Sequence, residues 1–534
     1  MADARDLKSL GPQGPSRFES GLRHHPEAAD GTKAGMSDQR RPIYLSPAVS
    51  LGVWLIASVL LGCVVNPVTG RPEVTVVSAK QEQELGREAA EEVARTMGLT
   101  DDPGRSGYIK ALGERLARES PRQDVAYTVH IVEMQEPNAF ALPGGYVFVS
   151  RGLLPLANSE DELAGVIGHE IGHVAARHAA RRMTVSAPFA VVSGITGFAV
   201  GLVSSKLGHA VAGITQFAGN FVIAPYSRDQ EREADSVGIE MAAQAGWDPA
   251  ALSRFLATLE REAELQSGKP RRTSFFDTHP ATPERVVKIA EQAKETTRRA
   301  GHPIAGTRAE FLARLDGLIV GDDPAAGVFQ DTRLLQPSLN FTVTFPNGWK
   351  TQNTPVAVLA AEAEGRAFML LGVAGEGDDP GETARALREK LHAKEMQIEQ
   401  VMIGGLRAAR AAVEAKTEDG PVVLDLTWIA HQGRVYQVTG IAQRADYLKF
   451  ETLFAGVAQS FRPLQAKERE GIHVVRLRIV PAHDGESPEQ IASRTGSEWD
   501  GKAVAVANGL EATTRLQKGQ LIKVAIREPY RPPR

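Results

Sequence analysis

Apolar residues recur at helical spacing in several separate stretches of this chain and at strand spacing in others. From Glu160 to Arg182 no proline intervenes, and Leu163, Val166, Ile167, Ile171 and Val174 mark one face of a predicted helix. Ser159 followed by Glu162 predicts a capping box at its start. Ser227 with Gln230 predicts a second box, opening a helix that runs through Ile239 and Met241 to a stop at Gly246, with Pro249 beyond. Upstream, one helix is expected from near Ser78 past Met97 and another from about Gly104 to Arg118. Tyr127 to Val132 alternates as strands do, and Tyr146 to Ser150 reads as a second short strand after the Gly144-Gly145 turn. Helical pattern then continues from Pro249 to Gly301.

Past that point the character changes. Phe311 to Gly321 leads into a linker at Asp322-Asp323-Pro324. Leu339 to Phe345 and Gly348-Trp349 open a β-rich region. Its strands are expected near Ala357 to Ala361, Ala367 to Val373, Val422 to Ile429 and Arg434 to Ile441, with helices near Gly381 to Lys394 and Ala445 to Ser460. After Arg462-Pro463-Leu464 a charged linker leads to a tail patterned strand, helix, helix, strand over Leu477 to Pro481, Ser487 to Gly496, Gly501 to Asn508 and Leu521 to Val524. Pro529 to Arg534 are expected to fray.

Two further apolar stretches have other readings. Arg40-Arg41 precede the run Val49 to Leu61, which ends in Leu60-Leu61-Gly62-Cys63, the layout of a secretory signal. The run is shorter than the roughly 20 residues a membrane span needs. Met36 would start a signal of ordinary length, so residues 1 to 35 read as a disordered leader or an over-extended start. Thr184 to Ser205 carries no charge and is long enough to span a bilayer. Its Ser and Thr content, with Pro188, Gly194, Gly197 and Gly201, weakens the spanning reading and leaves a buried or cleft-covering helical pair, or contact with a membrane surface, as the alternatives.

A chain of 534 residues exceeds one core and predicts two to four domains. Its net charge of −4 gives no reason to expect nucleic acid. A single cysteine excludes an intramolecular disulfide and a cysteine-built zinc site.

The chemistry concentrates in His169-Glu170-Ile171-Gly172-His173, which spells H-E-x-x-H inside the predicted helix. Residues four apart lie one above the other, so His169 and His173 can aim at one ion. Glu170 is rotated about 100° from His169 and stands beside the metal, where a base for an activated water belongs. A catalytic zinc site usually has three protein ligands and an open position. The segment Ser227 to Asp235 offers the third as Glu231, with Asp235 one turn on as the acceptor that fixes a ligand histidine's tautomer. Glu233 is a rival ligand, ranked below Glu231 because it lies on a different face from Asp235. His178 reads as a helix C-terminal cation beside Arg177, Arg181 and Arg182.

H-E-I-G-H followed by S-R-x-x-E-x-E-A-D resembles the gluzincin metallopeptidases that include the CAAX prenyl proteases, HtpX and BepA. Asn138-Ala139-Phe140, Pro143-Gly144-Gly145, and Thr278-His279-Pro280 with Arg285 downstream also match. The resemblance covers roughly residues 65 to 300. It implies one Zn2+ per chain held by His169, His173 and Glu231, with Glu170 as general base and Asp235 in support. It places His279 near the active centre, contacting the transition state or capping the metal at rest. Asn138 and Ala139 would lie on the strand that pairs with an extended substrate. The Leu60 to Cys63 motif resembles the lipobox of bacterial lipoproteins, which implies lipidation of Cys63 and, with Val64 next, attachment to the outer membrane. F-P-x-G-W and the pattern after it resemble PsbP-like domains. The tail resembles a LysM domain, which implies binding to peptidoglycan glycans.

The expected fold is α+β and multidomain. A signal over 36 to 62 and a linker over 63 to 77 precede a mainly helical metallopeptidase domain with a small sheet over 78 to 302. An α/β domain over 325 to 464 and a βααβ domain over 473 to 526 follow. The expected role is an envelope quality-control endopeptidase acting on protein substrates. The alternatives are an assembly factor with a latent site and a wall-binding scaffold.

Overall fold

The capping signals and apolar periods of the first half produce helices packed on a small sheet. The computed structural model describes residues 62–75, 77–182, 225–266, 275–280, 283–301, 303–354, 356–417 and 420–532. The leader, the apolar run Val49 to Leu61 and the uncharged segment 184 to 205 lie outside the described residues. All described residues belong to one unit, Ser58–Arg534. Among them no helix is long and apolar enough to cross a membrane.

The stretch from Asn66 to Gly70, inside the expected linker, is the turn of a hairpin. Strands β1 (Gly62–Val65) and β2 (Pro72–Thr75) pair antiparallel across it. Helix α1 (Ala79–Met97) opens with a reciprocal box between Ser78 and Gln81, and α2 (Pro103–Ala117) is capped by Asp102. Strands β3 (Thr128–Val132), β4 (Ala139–Leu142) and β5 (Tyr146–Ser150) form a sheet in the order β3-β5-β4, so β4 is an edge strand. Helices α3 (Glu160–Ala175), α4 (Arg228–Gln244) and α5 (Ala251–Leu265) follow, then a single turn α6 (Phe275–Thr278), α7 (Pro283–Glu295) and α8 (Arg308–Leu315). Leu163, Ile167 and Ile171 of α3 share one core with Trp247, Phe255 and Leu256.

Small residues set how closely α3 and α4 approach. A Cβ at Gly238 would meet the backbone N of His169 at 2.7 Å, and one at Gly172 would meet Ala234 O at 2.8 Å. Glycine at both positions therefore lets the two helices touch backbone to backbone.

Two local expectations are corrected here. The helix expected through Arg182 breaks after Ala175, because Arg177 adopts a left-handed φ of 56°. Its buried guanidinium meets Glu82 Oε2 at 2.9 Å and Val77 O at 3.2 Å, and helical backbone resumes at His178. The box at Ser159 is one-way: Ser159 Oγ accepts from Glu162 N, but the Glu162 carboxylate accepts from Asn158 N at 2.7 Å.

The middle region holds a four-stranded sheet of β6 (Val328–Gln330), β7 (Arg333–Gln336), β8 (Phe341–Thr344) and β16 (Arg462–Pro463), and a seven-stranded antiparallel sheet. The seven strands are β9 (Lys350–Asn353), β10 (Ala357–Ala361), β11 (Ala367–Glu376), β12 (Glu399–Ile403), β13 (Leu406–Thr417), β14 (Gly420–His431) and β15 (Arg434–Gln443), in the order β12-β13-β14-β15-β11-β10-β9. Helix α9 (Pro380–Lys390) covers one face and α10 (Tyr447–Gln459) the other, so Val435 and Tyr436 enter different cores. Sequence pattern did not reveal β12 or β13. The stretch Leu406 to Thr417 is mostly Ala, Arg, Glu and Lys, which favour helix, and pairing with β14 along its length overrides that preference.

The tail has the expected order: β17 (His473–Pro481), α12 (Pro488–Thr495), α13 (Gly501–Ala507) and β18 (Leu521–Pro529), with the two strands antiparallel. It does not hang from a charged linker. Residues Ala466–Glu470 form a short helix, α11, whose Glu468 meets Arg333 and Arg462 at 2.9 and 2.7 Å. Leu477 and Ala507 belong to the same core as Leu163 and Ile167. Lys523 is fully buried and donates from Nζ to Pro155 O and Ala157 O, each at 2.7 Å. Nor does the chain fray at Pro529, since Tyr530 is buried and its N–H donates to Ile472 O at 2.9 Å.

Candidate metal centre

Helix α3 carries His169, Glu170 and His173, and α4 brings Glu231 against them. His279, one residue past α6, closes the group from a third direction. Nitrogens of His169, His173 and His279 and a Glu231 oxygen all lie within 4.8 Å of one another and are buried. His173 Nε2 lies 3.0 Å from His169 Nε2 and 3.3 Å from Glu231 Oε1. His279 Nδ1 lies 3.2 Å from His169 Nε2 and 3.0 Å from Glu231 Oε1. Donors about 2.0–2.1 Å from a tetrahedral ion are separated by roughly 3.3 Å. These spacings, from four buried donors that face one another, fit zinc.

The rest of the cluster keeps the donors in place. His169 Nδ1 lies 2.9 Å from Asp235 Oδ1. Arg285 grips Asp235 with two bonds of 2.7 Å and reaches Glu231 Oε2 at 2.6 Å. Tyr226 stacks on His173 with ring centroids 3.7 Å apart, and its N–H donates to Thr278 O. Glu170 is fully buried outside the four-donor set, with Oε1 3.3 Å from His279 Nε2.

Burial and charge set the protonation of these groups. Burial pushes the Glu170 carboxyl above the usual carboxylate range. Burial also works to raise Glu231, but His279, His173 and His169 hold it well below the usual carboxylate range. Asp235 is lowered in the same way by Arg285 and His169 against its own burial. Burial depresses His173 well below the usual imidazole range, as a neutral ligand requires. For His279, burial is outweighed by Glu170 and Glu231, which raise it.

The structure thus brings His169, Glu170, His173, Glu231, Asp235 and His279 into one cluster. Asn138 lies just before edge strand β4, and Ala139 is that strand's first residue. Asn138 N donates to Ser150 Oγ at 2.8 Å, while its buried carboxamide has no partner among the described residues. Cys63 is in β1, opposite Val74. Glu233 stays out of the cluster. His178 is corrected: it is fully buried and not a surface cation, burial lowers its pKa, and its Nδ1 lies 2.8 Å from His173 Nδ1. Sequence reasoning missed Tyr226 and gave Arg285 no role. Arg285 did stand in a matching motif; Tyr226 left no signal beyond preceding the Ser227 cap.

Residues 103–293 match the profile of peptidase family M48. The chain carries a peptidase family M48 domain. Over 233 residues it is 32% identical to the mitochondrial metalloendopeptidase OMA1 of Schizosaccharomyces pombe, covering 43% of this chain and 66% of that protein. Over 232 residues it is 29% identical to the beta-barrel assembly-enhancing protease of Escherichia coli, covering 43% of this chain and 47% of that one. The similarity therefore spans less than two thirds of these relatives' own length. Among solved structures, cyanobacterial PsbP from Synechocystis aligns with 27% of this chain and 99% of its own, at 14% identity and a TM-score of 0.22, too low to assign a fold.

Proposed function

We propose that this chain is a zinc-dependent endopeptidase of the bacterial cell envelope that hydrolyses misfolded or stalled envelope proteins. The observation that carries the reading is the buried donor set of His169, His173, Glu231 and His279 with the Glu170 carboxylate beside it. Similarity to an assembly-enhancing protease supports the envelope setting. Zinc, when bound, supplies Lewis-acid polarisation of a peptide carbonyl and lowers the pKa of a water. Glu170 takes the proton of the attacking water and passes it to the leaving amine. Asp235 and Arg285 hold His169 and Glu231 in register. Edge strand β4, which begins at Ala139 beside Asn138 and is buried along its length, would receive an extended substrate strand once its outer edge is uncovered. Lipidation at Cys63 would tether the chain to the membrane, and the βααβ tail would contact peptidoglycan.

A second reading, an assembly factor whose protease is latent, draws on His279. Its Nδ1 stands among the ligand atoms as a fourth protein donor, and four protein donors make a closed site. One comparison tests both readings: metal content and casein cleavage by the full chain, wild type beside Glu170→Gln and His279→Ala. The peptidase reading expects one zinc per chain, loss of cleavage in Glu170→Gln with zinc retained, and activity in wild type. A silent wild type with an active His279→Ala favours latency. Cleavage by Glu170→Gln at the wild-type rate would remove Glu170 as the base.

A further inference from the structure

The two ligand histidines of α3 are supported in different ways. His169 meets a carboxylate directly, through Nδ1 and Asp235. His173 faces the other donors through Nε2, so its Nδ1 points outward, to His178 Nδ1 at 2.8 Å. His178 Nε2 in turn lies 3.1 Å from Glu233 Oε2. A single proton arrangement suits a metal ligand at the head of this chain. His173 must keep its Nε2 lone pair free, so Nδ1 carries the proton and donates. His178 then accepts at Nδ1, carries its own proton on Nε2, and donates to Glu233.

We propose that His178 and Glu233 are positioning residues that fix the tautomer and ring orientation of His173, and that Asn66 in the N-terminal hairpin completes this relay. Asn66 is 1% exposed and donates from Nδ2 to Glu233 Oε1 at 3.1 Å and to Glu73 Oε1 at 3.0 Å. Its Oδ1 accepts from the N–H groups of Val68 and Thr69, which locks the side chain in the hairpin turn. Arg181 Nη1 holds Glu233 Oε2 at 3.1 Å. Asn66 and Glu73 lie before residue 103, outside the segment that matches the family profile. The hairpin is thus part of the metal centre's support.

This inference rests on the zinc reading of the centre, and the two can fail separately. Zinc affinity of the full chain is measured by competition with a chromogenic chelator, and the cobalt(II)-substituted chain is read by its visible spectrum. His178→Phe keeps a flat ring but removes both nitrogens. It is expected to weaken zinc binding by about 10–100-fold and to alter the cobalt spectrum, as loss of a ligand's hydrogen-bond partner does. His178→Asn restores an acceptor and recovers most of that loss. Glu233→Ala, at the half-buried end of the relay, weakens binding by about tenfold. Wild-type affinity in either His178→Phe or Glu233→Ala overturns the relay, as does a His178→Asn chain that binds no better than His178→Phe. If His178→Phe fails to fold, Glu233→Ala decides alone. A wild-type chain that binds no zinc refutes the metal reading itself.

Discussion

Replacing Arg285 with alanine strips two buried carboxylates of a shared counter-ion. The guanidinium is 6% exposed, donates to both oxygens of Asp235 at 2.7 Å, and lies 2.6 Å from Glu231 Oε2. Removing one partner of a buried ion pair costs about 3–5 kcal/mol, because the remaining charge stays out of water. Two acids are exposed to that penalty here, but each keeps another partner. Asp235 retains His169, and Glu231 retains His279. The loss therefore stays near the range for one pair and does not double. In a region of this size 1 kcal/mol corresponds to about 2–4 °C, so the melting temperature should fall by about 6–20 °C.

The effect should depend on metal. Zinc at the donor set replaces part of the lost positive charge beside Glu231, so the zinc-loaded variant should lose less than the metal-free one. Scanning calorimetry of chelator-treated and zinc-loaded chains, wild type and variant, reads both quantities. Arg285→Lys should recover less than half of the loss, since a compact ammonium cannot grip Asp235 in a fork and reach Glu231 together. A metal-free Arg285→Ala chain that melts within about 2 °C of wild type would refute the claim that this guanidinium neutralises the acids.

Three other perturbations test separate parts of the structure. Gly238→Ala inserts a methyl 2.7 Å from the His169 backbone, so it should cost about 1–3 kcal/mol in urea unfolding and weaken zinc binding; wild-type values for both would mean the helices part freely. Lys523→Ala leaves the carbonyls of Pro155 and Ala157 without their buried donor and should cost about 1–3 kcal/mol, with faster proteolysis of the tail; an unchanged cleavage pattern would show that the tail docks without it. Glu468 is held at about 2, against its ordinary 4.5, first by Arg462. A lowered folded pKa means its stabilisation is full above 4.5 and disappears as pH falls toward 2, so Glu468→Gln should flatten the acid limb of a stability-versus-pH curve in that window. An identical acid limb in the variant would exclude that ion pair as its source.

What the sequence disclosed and what it hid divide along a physical line. His169, His173 and Glu231 were legible because a helix turns sequence spacing into direction: four residues is one turn, and the two ligand helices each announced their start with a cap. The tail's strand, helix, helix, strand order was legible for the same reason. Contacts that depend on one segment folding back on another left no such mark. Strand β13 is written in helix-favouring residues and exists because β14 pairs with it. The tail's attachment to the M48 domain combines the core shared by Leu477 and Ala507 with Lys523 reaching carbonyls more than 360 residues earlier in the chain.

His178 shows the limit most sharply. Read along a continuous helix it falls off the ligand face and among arginines, which argues for a cation. The helix is not continuous: Arg177 turns left-handed to reach Glu82, and that one residue swings His178 inward under His173. Glu233 follows the same logic. Its two-residue offset from Asp235 ranked it below Glu231 as a ligand, and the same rotation that takes it off the metal face aims it at His178. Since Glu82 lies on α1 and Asn66 in the hairpin before it, the segment preceding the matched domain sets both the break and the relay's far end. A chain cut at residue 103 should therefore keep the H-E-x-x-H motif yet hold His173 loosely, with weaker zinc binding than the full chain. Equal affinity in the two would place the whole support of the centre in the residues from 103 onward.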